Sequence, residues 1–424
     1  MGFLNQKGFN LLAMNKRTVC VVITARPSYS RIKTTLRAIQ EHPELELQIV
    51  LAGPALLNKY GNIENIILDD GFAITEKVYT VLDSENLTSM AKTVGLGLVE
   101  LSNVFYQLKP NMVVVIADRF ETIAVSIAAA YQNIPLVHIQ GGEITGSIDE
   151  KVRHANTKFA DIHLVCNELA KQTVIKLGED PKYVFNTGCP SIDLAAGVLT
   201  NPALDFDPYK LYGGSGNHPD YSKGYMVVMQ HPVTTEFNEA KFQAEETLQA
   251  IKTIDVPVFW FSPNADAGSD AFSHSIRACR SDVNMGHVHF FDNMMPTDFL
   301  KLVYNSQCLV GNSSMGIREC SFMGIPVVNI GTRQSGRERA ENIIDVAHSK
   351  GEILGAIDYW KHHKRPGQSF IYGTGDAGEK MAAVLAKVQL RFSKILQFQE
   401  DENTVHHTSK VGVQGSTGQE YKAA

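Results

Sequence analysis

Short runs of β-branched and apolar residues recur along the chain, each followed at once by a polar loop and then a helical pattern. Thr18–Ala25 (TVCVVITA), Leu45–Leu51, Met112–Ala117 (MVVVIA), Leu136–Ile139, Ile162–Cys166 and Tyr183–Thr187 are the first set. Tyr225–Met229 (YMVVM), Pro257–Phe261, Val288–Phe291, Cys308–Val310 and Pro326–Ile330 are the second. Runs with no polar face read as strands buried on both sides. Strands that alternate with helices imply parallel sheets joined by right-handed crossovers. The fold class is therefore α/β. At 424 residues the chain is too long for one core, which predicts two domains.

The boundaries follow from composition. Residues 1–16 read as an N-terminal extension, with Met14 as an alternative start just before the first strand. Residues 17–195 and 196–376 carry the two strand sets. Pro202–Tyr221, rich in Pro, Gly, Asp and Tyr, reads as a linker or surface excursion after the boundary. Residues 377–399 hold an amphipathic helix that could pack back on the first domain, and 400–424 read as a disordered tail.

Chemistry should lie in the loops that leave the carboxyl ends of the strands, where open α/β sheets bind ligands. HIQGGEITGSIDEKVRH at His138–His154 is the densest such loop, with His138, Gln140, Glu143, Asp149, Glu150, Arg153 and His154. Gly141 and Gly142 permit a sharp turn or a close approach. A plainer reading is a solvated loop and a helix start, since Ser147 to Glu150 fits a capping box. Asp118 and Arg119 leave the strand Met112–Ala117, on the same rim. Arg26 and Ser30 lie in the first strand–helix junction, a place that can hold phosphate with helix amides and a guanidinium fork. In the second half His231 follows YMVVM. Gly311–Glu319 (GNSSMGIRE) offers Ser313, Ser314 and helix-start amides to a diphosphate, and Glu319 to ribose hydroxyls. An N-cap serine with a surface glutamate is the alternative there. No glycine-rich dinucleotide fingerprint occurs, which favours a nucleoside diphosphate over NAD.

The net charge of −6 gives no reason to expect a nucleic-acid surface. No apolar run reaches bilayer length, and the N-terminus is too weak for a secretory signal. The six cysteines are scattered without a CxxC pair, as expected of buried free thiols in a reducing, cytoplasmic setting. No metal-ligand spacing is found.

The blocks TARPSYS, ADRFE, HIQGGEITGSIDEKVRH, GCPSID, QHPVTT, PNADAGS, GNSSMGIRE and GTRQSGRE together resemble the hydrolysing UDP-N-acetylglucosamine 2-epimerases of sialic-acid-type biosynthesis, over roughly residues 17–392. The resemblance implies two Rossmann-like domains facing across a cleft, as in GT-B enzymes, and a homo-oligomer, dimer or tetramer. It implies elimination of UDP from a UDP-sugar through a glycal, then hydration with inversion at C2, with no metal or redox cofactor. By motif match Asp118, Asp149 and His231 would carry the proton chemistry, followed by Glu143 and Glu150, with Arg153 orienting a carboxylate. Arg26, Ser30, Arg119, His138, Asn264, Ser313, Ser314, Glu319 and Arg333 would bind substrate. Gln140 stands where the family usually has glutamate, Ser28 where it often has aspartate, and Ile116-Ala117 where it often has His-Gly. Glutamine cannot exchange a proton at neutral pH. Asp118 and Asp149 would then carry both proton steps, or the substrate would be a modified UDP-sugar such as a 4-acetamido-6-deoxy relative, or turnover would be slow or lost. A GT-B glycosyltransferase, a non-hydrolysing 2-epimerase and a UDP-sugar-binding protein are the competing classes.

Overall fold

The computed structural model describes residues 16–57, 63–82, 87–144, 148–263, 274–276 and 282–397. The 400–424 tail and residues 1–15 of the predicted extension lie outside them. The first half of the chain gives β1 (Arg17–Ile23), β2 (Leu45–Ala52), β3 (Glu76–Val78), β4 (Met112–Ile116), β5 (Leu136–Ile139), β6 (Ile162–Val165) and β7 (Val184–Asn186). Interleaved with them are α1 (Arg26–Glu41), α2 (Ile63–Asp69), α3 (Leu87–Leu108), α4 (Thr122–Tyr131), α5 (Ile148–Phe159) and α6 (Glu168–Lys176), and α7 (Pro190–Thr200) follows. Further on come α8 (Pro208–Tyr212), β8 (Ser215–Gly216), β9 (Met226–Met229), α9 (Ala240–Ile251), β10 (Val258–Phe261), β11 (Val288–Phe291) and α10 (Pro296–Tyr304). The chain continues through β12 (Leu309–Gly311), α11 (Ser314–Ile317), α12 (Glu319–Met323), β13 (Val327–Ile330), β14 (Ile343–Val346), α13 (Lys350–His362) and α14 (Ala377–Lys387).

Among the described residues the strands form two sheets, in the orders β3-β2-β1-β4-β5-β6-β7 and β14-β13-β12-β9-β10-β11-β8. All pairings are parallel except β8 with β11. The apolar runs are buried on both faces, as their sequence requires. In β1, Val19, Val21 and Ile23 enter one core while Cys20 and Val22 enter another. In β9, Val227 faces one core, Met226 and Val228 the other.

Pro202–Tyr221 is not a linker. It supplies α8 and the edge strand β8, and Tyr209 packs its ring on Phe259 and Phe291 of the second sheet. Helix α7 touches both halves: Ile192, Ala195 and Val198 join the second core, while Thr34 of α1 donates to Asp193 at 2.9 Å. The same carboxylate accepts from the Ala377 and Gly378 amides at 2.8 and 2.7 Å, satisfying the start of α14. Helix α14 then places Met381, Ala382 and Leu385 in the first core, so the C-terminal helix does pack back on the first domain. No described helix is long and apolar enough to cross a membrane.

The two strand orders fix where a ligand can enter. The order reverses between β1 and β4 in the first sheet, and between β9 and β12 in the second. A crevice opens at such a reversal, at the carboxyl ends of the flanking strands. Arg26 and Asp118 follow β1 and β4, while His231 and Asn312 follow β9 and β12.

Candidate active site

The first rim is built on two strained turns. Ala117 and Gln140 follow β4 and β5 with φ of +58° and +66°, a region that costs a residue with a Cβ roughly 1 kcal/mol. Buried hydrogen bonds hold the first turn. His138 is fully buried, with Nε2 at 2.9 Å from the Ala117 carbonyl and Nδ1 at 3.1 Å from Thr157 Oγ1. A carbonyl only accepts, so Nε2 carries the proton and Nδ1 accepts from Thr157. Burial pushes the His138 pKa down to about 3 and keeps the ring neutral. Asn156 adds a bond to the same carbonyl at 3.3 Å and another to Thr122 at 2.8 Å. Both ring nitrogens of His138, a residue expected to bind substrate, are used inside the protein, and the residue supports the turn that aims Asp118.

Asp118 is 8% exposed and is ion-paired with Arg153 Nη2. Nη1 of the same guanidinium donates to the Gln140 carbonyl at 2.5 Å. Arg153 therefore ties both strained turns together. Gln140 is 1% exposed; its Nε2 lies 3.3 Å from Cys189 Sγ, and its Oε1 has no hydrogen-bond partner. Gly141 and Gly142 are needed for packing. A Cβ on Gly142 would lie 2.3 Å from the Ala170 carbonyl, and one on Gly141 would lie 2.9 Å from His138 Nδ1.

Glu143 was expected among the proton carriers. It is instead locked in a buried ion pair with Arg318 Nη2 at 2.5 Å, with Arg337 Nη2 at 3.5 Å. Burial alone would raise its pKa, but Arg318, Arg337 and Arg153 hold it well below the usual carboxylate range. A carboxylate so held stays ionised near neutrality. Asp149 and Glu150 lie in the first turn of α5, half-buried, and Glu150 Oε1 is 3.2 Å from His154 Nε2. Ser147 of the predicted capping box lies outside the described residues, as does Asn264. Arg119 is half-buried and donates to Glu121 at 2.8 Å. Arg26 and Ser30 are half-buried in the first turns of α1, whose N-cap Ala25 provides no side-chain cap. Ser30 donates back to the Arg26 carbonyl at 3.3 Å.

The second rim is held by amides. Asn312, fully buried, accepts from the His231 backbone N–H at 2.7 Å and donates to the His231 carbonyl at 2.8 Å. Its own carbonyl accepts from Arg333 Nη1 at 3.2 Å and Gln334 Nε2 at 2.9 Å. Gly311, at φ +139°, lets β12 pass close to Met229: a Cβ there would sit 2.0 Å from its carbonyl oxygen. Burial, then the charge of Arg333, push the His231 pKa to about 3, so the ring is neutral. An anion placed between them would favour the protonated form. Ser313 caps α11 through the Met315 amide, and Ser314 is half-buried beside it. Burial raises the Glu319 pKa to about 7, against the opposing charge of Arg318.

The sequence reading assigned no role to Asn312, Arg318, Arg337, Asn156 or Thr157. Each acts through partners distant in sequence, such as Glu143 for Arg318 across 175 residues. A local pattern carries no signal for such pairs.

The sequence model of the family described as UDP-N-acetylglucosamine 2-epimerase matches residues 37–386. A Legionella pneumophila protein named UDP-N,N'-diacetylbacillosamine 2-epimerase (hydrolyzing) is 32% identical over 381 residues, covering 90% of this chain and 98% of that protein. A Neisseria meningitidis UDP-N-acetylglucosamine 2-epimerase is 30% identical over 342 residues, 81% of this chain and 86% of its own. Among solved structures, a Methanocaldococcus jannaschii UDP-GlcNAc 2-epimerase in complex with UDP-GlcNAc and UDP superposes with a TM-score of 0.71 at 14% identity, covering 87% of this chain and 99% of that one. That likeness bears on the fold alone, which is GT-B-like. The chain belongs to the UDP-N-acetylglucosamine 2-epimerase family.

Proposed function

We propose that this chain is a hydrolysing 2-epimerase acting on UDP-GlcNAc or a 4-acetamido-6-deoxy UDP-HexNAc, releasing UDP and a free sugar inverted at C2. The observation that carries the reading is the pair of strand-order reversals, with Asp118–Arg153 on one rim and His231–Asn312–Ser313 on the other. The chemistry divides between them. In the first step the C1–O bond to UDP breaks and a carboxylate takes the C2 proton, leaving a glycal. Asp118, or Asp149 at the start of α5, is the base. The leaving diphosphate is stabilised by Arg26, Arg333 and the hydroxyls of Ser313 and Ser314. In the second step water adds its hydroxyl to C1, C2 gains a proton on the opposite face from the other acid, and the proton that water gives up reloads that acid. Neutral His231 turns cationic as the diphosphate charge develops beside it. Glu319 accepts from ribose hydroxyls, and its raised pKa makes that contact pH-dependent.

The relatives named for diacetylbacillosamine support a 2,4-diacetamido-6-deoxy substrate, and an Escherichia coli relative named polysialic acid biosynthesis protein P7 supports a role in supplying nonulosonic acids. Exposed Leu96, Val99 and Tyr106 share one face of α3 and support a homo-oligomer. The five described cysteines are free and buried, which supports a reducing, cytoplasmic setting.

One observation favours the second reading, a UDP-sugar binder with little turnover: Gln140 cannot carry a proton and is buried against Cys189. UDP release from each UDP-sugar, followed for the wild type and Gln140→Glu, separates the readings. The epimerase reading expects wild-type release, and a loss in Gln140→Glu, because the new carboxylate would be buried beside Cys189. Binding without release in the wild type, with release restored in Gln140→Glu, would establish the binder.

A further inference from the structure

We propose that Arg318 is a positioning residue that couples a nucleotide held in the loop after β12 to Asp118 on the opposite rim, through its buried ion pair with Glu143. The inference rests on the functional reading above and names how the two rims act together.

Arg318 sits at the break between α11 and α12, with φ −102° and ψ −76°, four residues after Ser314. Its backbone is fixed on both sides: its N–H donates to the Ser314 carbonyl at 3.2 Å, and its carbonyl accepts from the Phe322 N–H at 3.0 Å. Its side chain crosses to the other sheet and meets Glu143, the pair being 3% and 4% exposed. Glu143 ends the turn that starts at Gln140, whose carbonyl accepts from Arg153, and Arg153 holds Asp118. Four buried charged side chains and one strained turn thus join Ser314 to Asp118.

Further contacts make this seam a load path. Arg337 Nε donates to the Ile144 carbonyl at 3.2 Å, and Asn167 Nδ2 donates to Glu338 Oε2 at 2.9 Å. The seam is not saturated, however. Arg153 Nε, Arg318 Nε and Arg337 Nη1 are buried without hydrogen-bond partners. Unsatisfied buried polar atoms favour any rearrangement that pairs them. A small shift of the loop after β12 on taking up a diphosphate would pass through Arg318 to Glu143 and re-aim the Gln140 turn.

Arg318→Met is the decisive variant, because Glu143 keeps Arg337 as a counter-ion and no carboxylate is stranded. Hydrogen–deuterium exchange with and without UDP is measured across residues 311–323 and 140–159. In the wild type UDP slows exchange in both segments. In Arg318→Met the protection at 311–323 stays and that at 140–159 is lost. On the sugar substrate, kcat falls by roughly tenfold to a hundredfold while KM stays within about threefold. Arg318→Lys, which keeps the charge without the fork, shows the same split with a smaller loss and covers the case in which the methionine variant does not fold. Protection at 140–159 that survives in Arg318→Met, or an unchanged kcat, overturns the proposal. Wild-type protection confined to 311–323 overturns it too, and leaves the functional reading intact. Protection of both segments without turnover of any UDP-HexNAc overturns the functional reading and leaves the coupling standing.

Discussion

The two rims of the cleft solve the same problem with different chemistry. Each lies at a reversal of strand order and must hold a side chain still at the end of a strand. The first does so with charge: Arg153 on Asp118, and Arg318 and Arg337 on Glu143, behind two turns at positive φ. The second does so with neutral amides: Asn312 brackets His231, and Gln334 braces Asn312. A rim that moves protons needs carboxylates whose ionisation is set by neighbours. A rim that receives a diphosphate gains from hydroxyls, backbone donors and an arginine that can turn to the anion. Arg333, whose Nη1 donates to the Asn312 carbonyl, is the arginine on this rim.

Removing the charge on the first rim should have the largest effect. Asp118→Asn keeps the shape but loses both the proton acceptor and the ion pair with Arg153. UDP release should fall by about 10³-fold with UDP binding little changed. A fall of only a few fold would move the proton chemistry to Asp149. On the second rim, Asn312→Ala removes both bonds to His231 at once. It should lower stability by about 2 kcal/mol in denaturant melts and weaken UDP binding measured by calorimetry. If only stability changes, the amide bracket has no part in the site.

The next test concerns pH. Burial raises the Glu319 pKa to about 7, so the group is partly protonated near neutrality. Contact with ribose hydroxyls favours the carboxylate, so UDP binding should strengthen as pH rises through 7, by severalfold between about pH 6 and 8. Glu319→Gln should remove that part of the pH dependence, and an unchanged profile would place the ribose elsewhere. The smallest effect is expected at Ala117→Gly. Glycine takes φ +58° without a Cβ penalty and should stabilise the fold by about 0.5–1 kcal/mol, read as a higher Tm. A loss of stability there would mean that the turn is held by something other than strain balanced by His138 and Asn156.

The strand ends that form both rims were legible because apolar runs and their polar tails are local signals. Leu136–Ile139 and Val288–Phe291 coincide with β5 and β11. Strands β3 and β14 escaped notice because they are short edge strands, with mixed burial that gives no apolar run. The segment Pro202–Tyr221 misled because its glycines and prolines signal turns, while its aromatic residues pack on the second sheet. Among the site residues, motif resemblance brought Asp118 and Arg153 to one rim and His231 and Ser313 to the other. It also grouped His138 with the substrate-binding residues and Glu143 with the reactive ones. Sequence could not tell a histidine aimed at substrate from one bonded to Ala117 and Thr157, nor a free glutamate from one pinned by arginines some 175 residues away. Those distinctions depend on contacts between elements far apart in the chain, and only the packed structure supplies them.

The most direct test of the division between the rims is an NMR time course in D2O with UDP-GlcNAc and, in parallel, its 4-acetamido-6-deoxy relative. The expected result is release of UDP together with a free 2-epimeric sugar carrying deuterium at C2, faster for one of the two substrates. Both sugars remaining intact while saturation transfer shows them bound, or an epimer still attached to UDP, would contradict it.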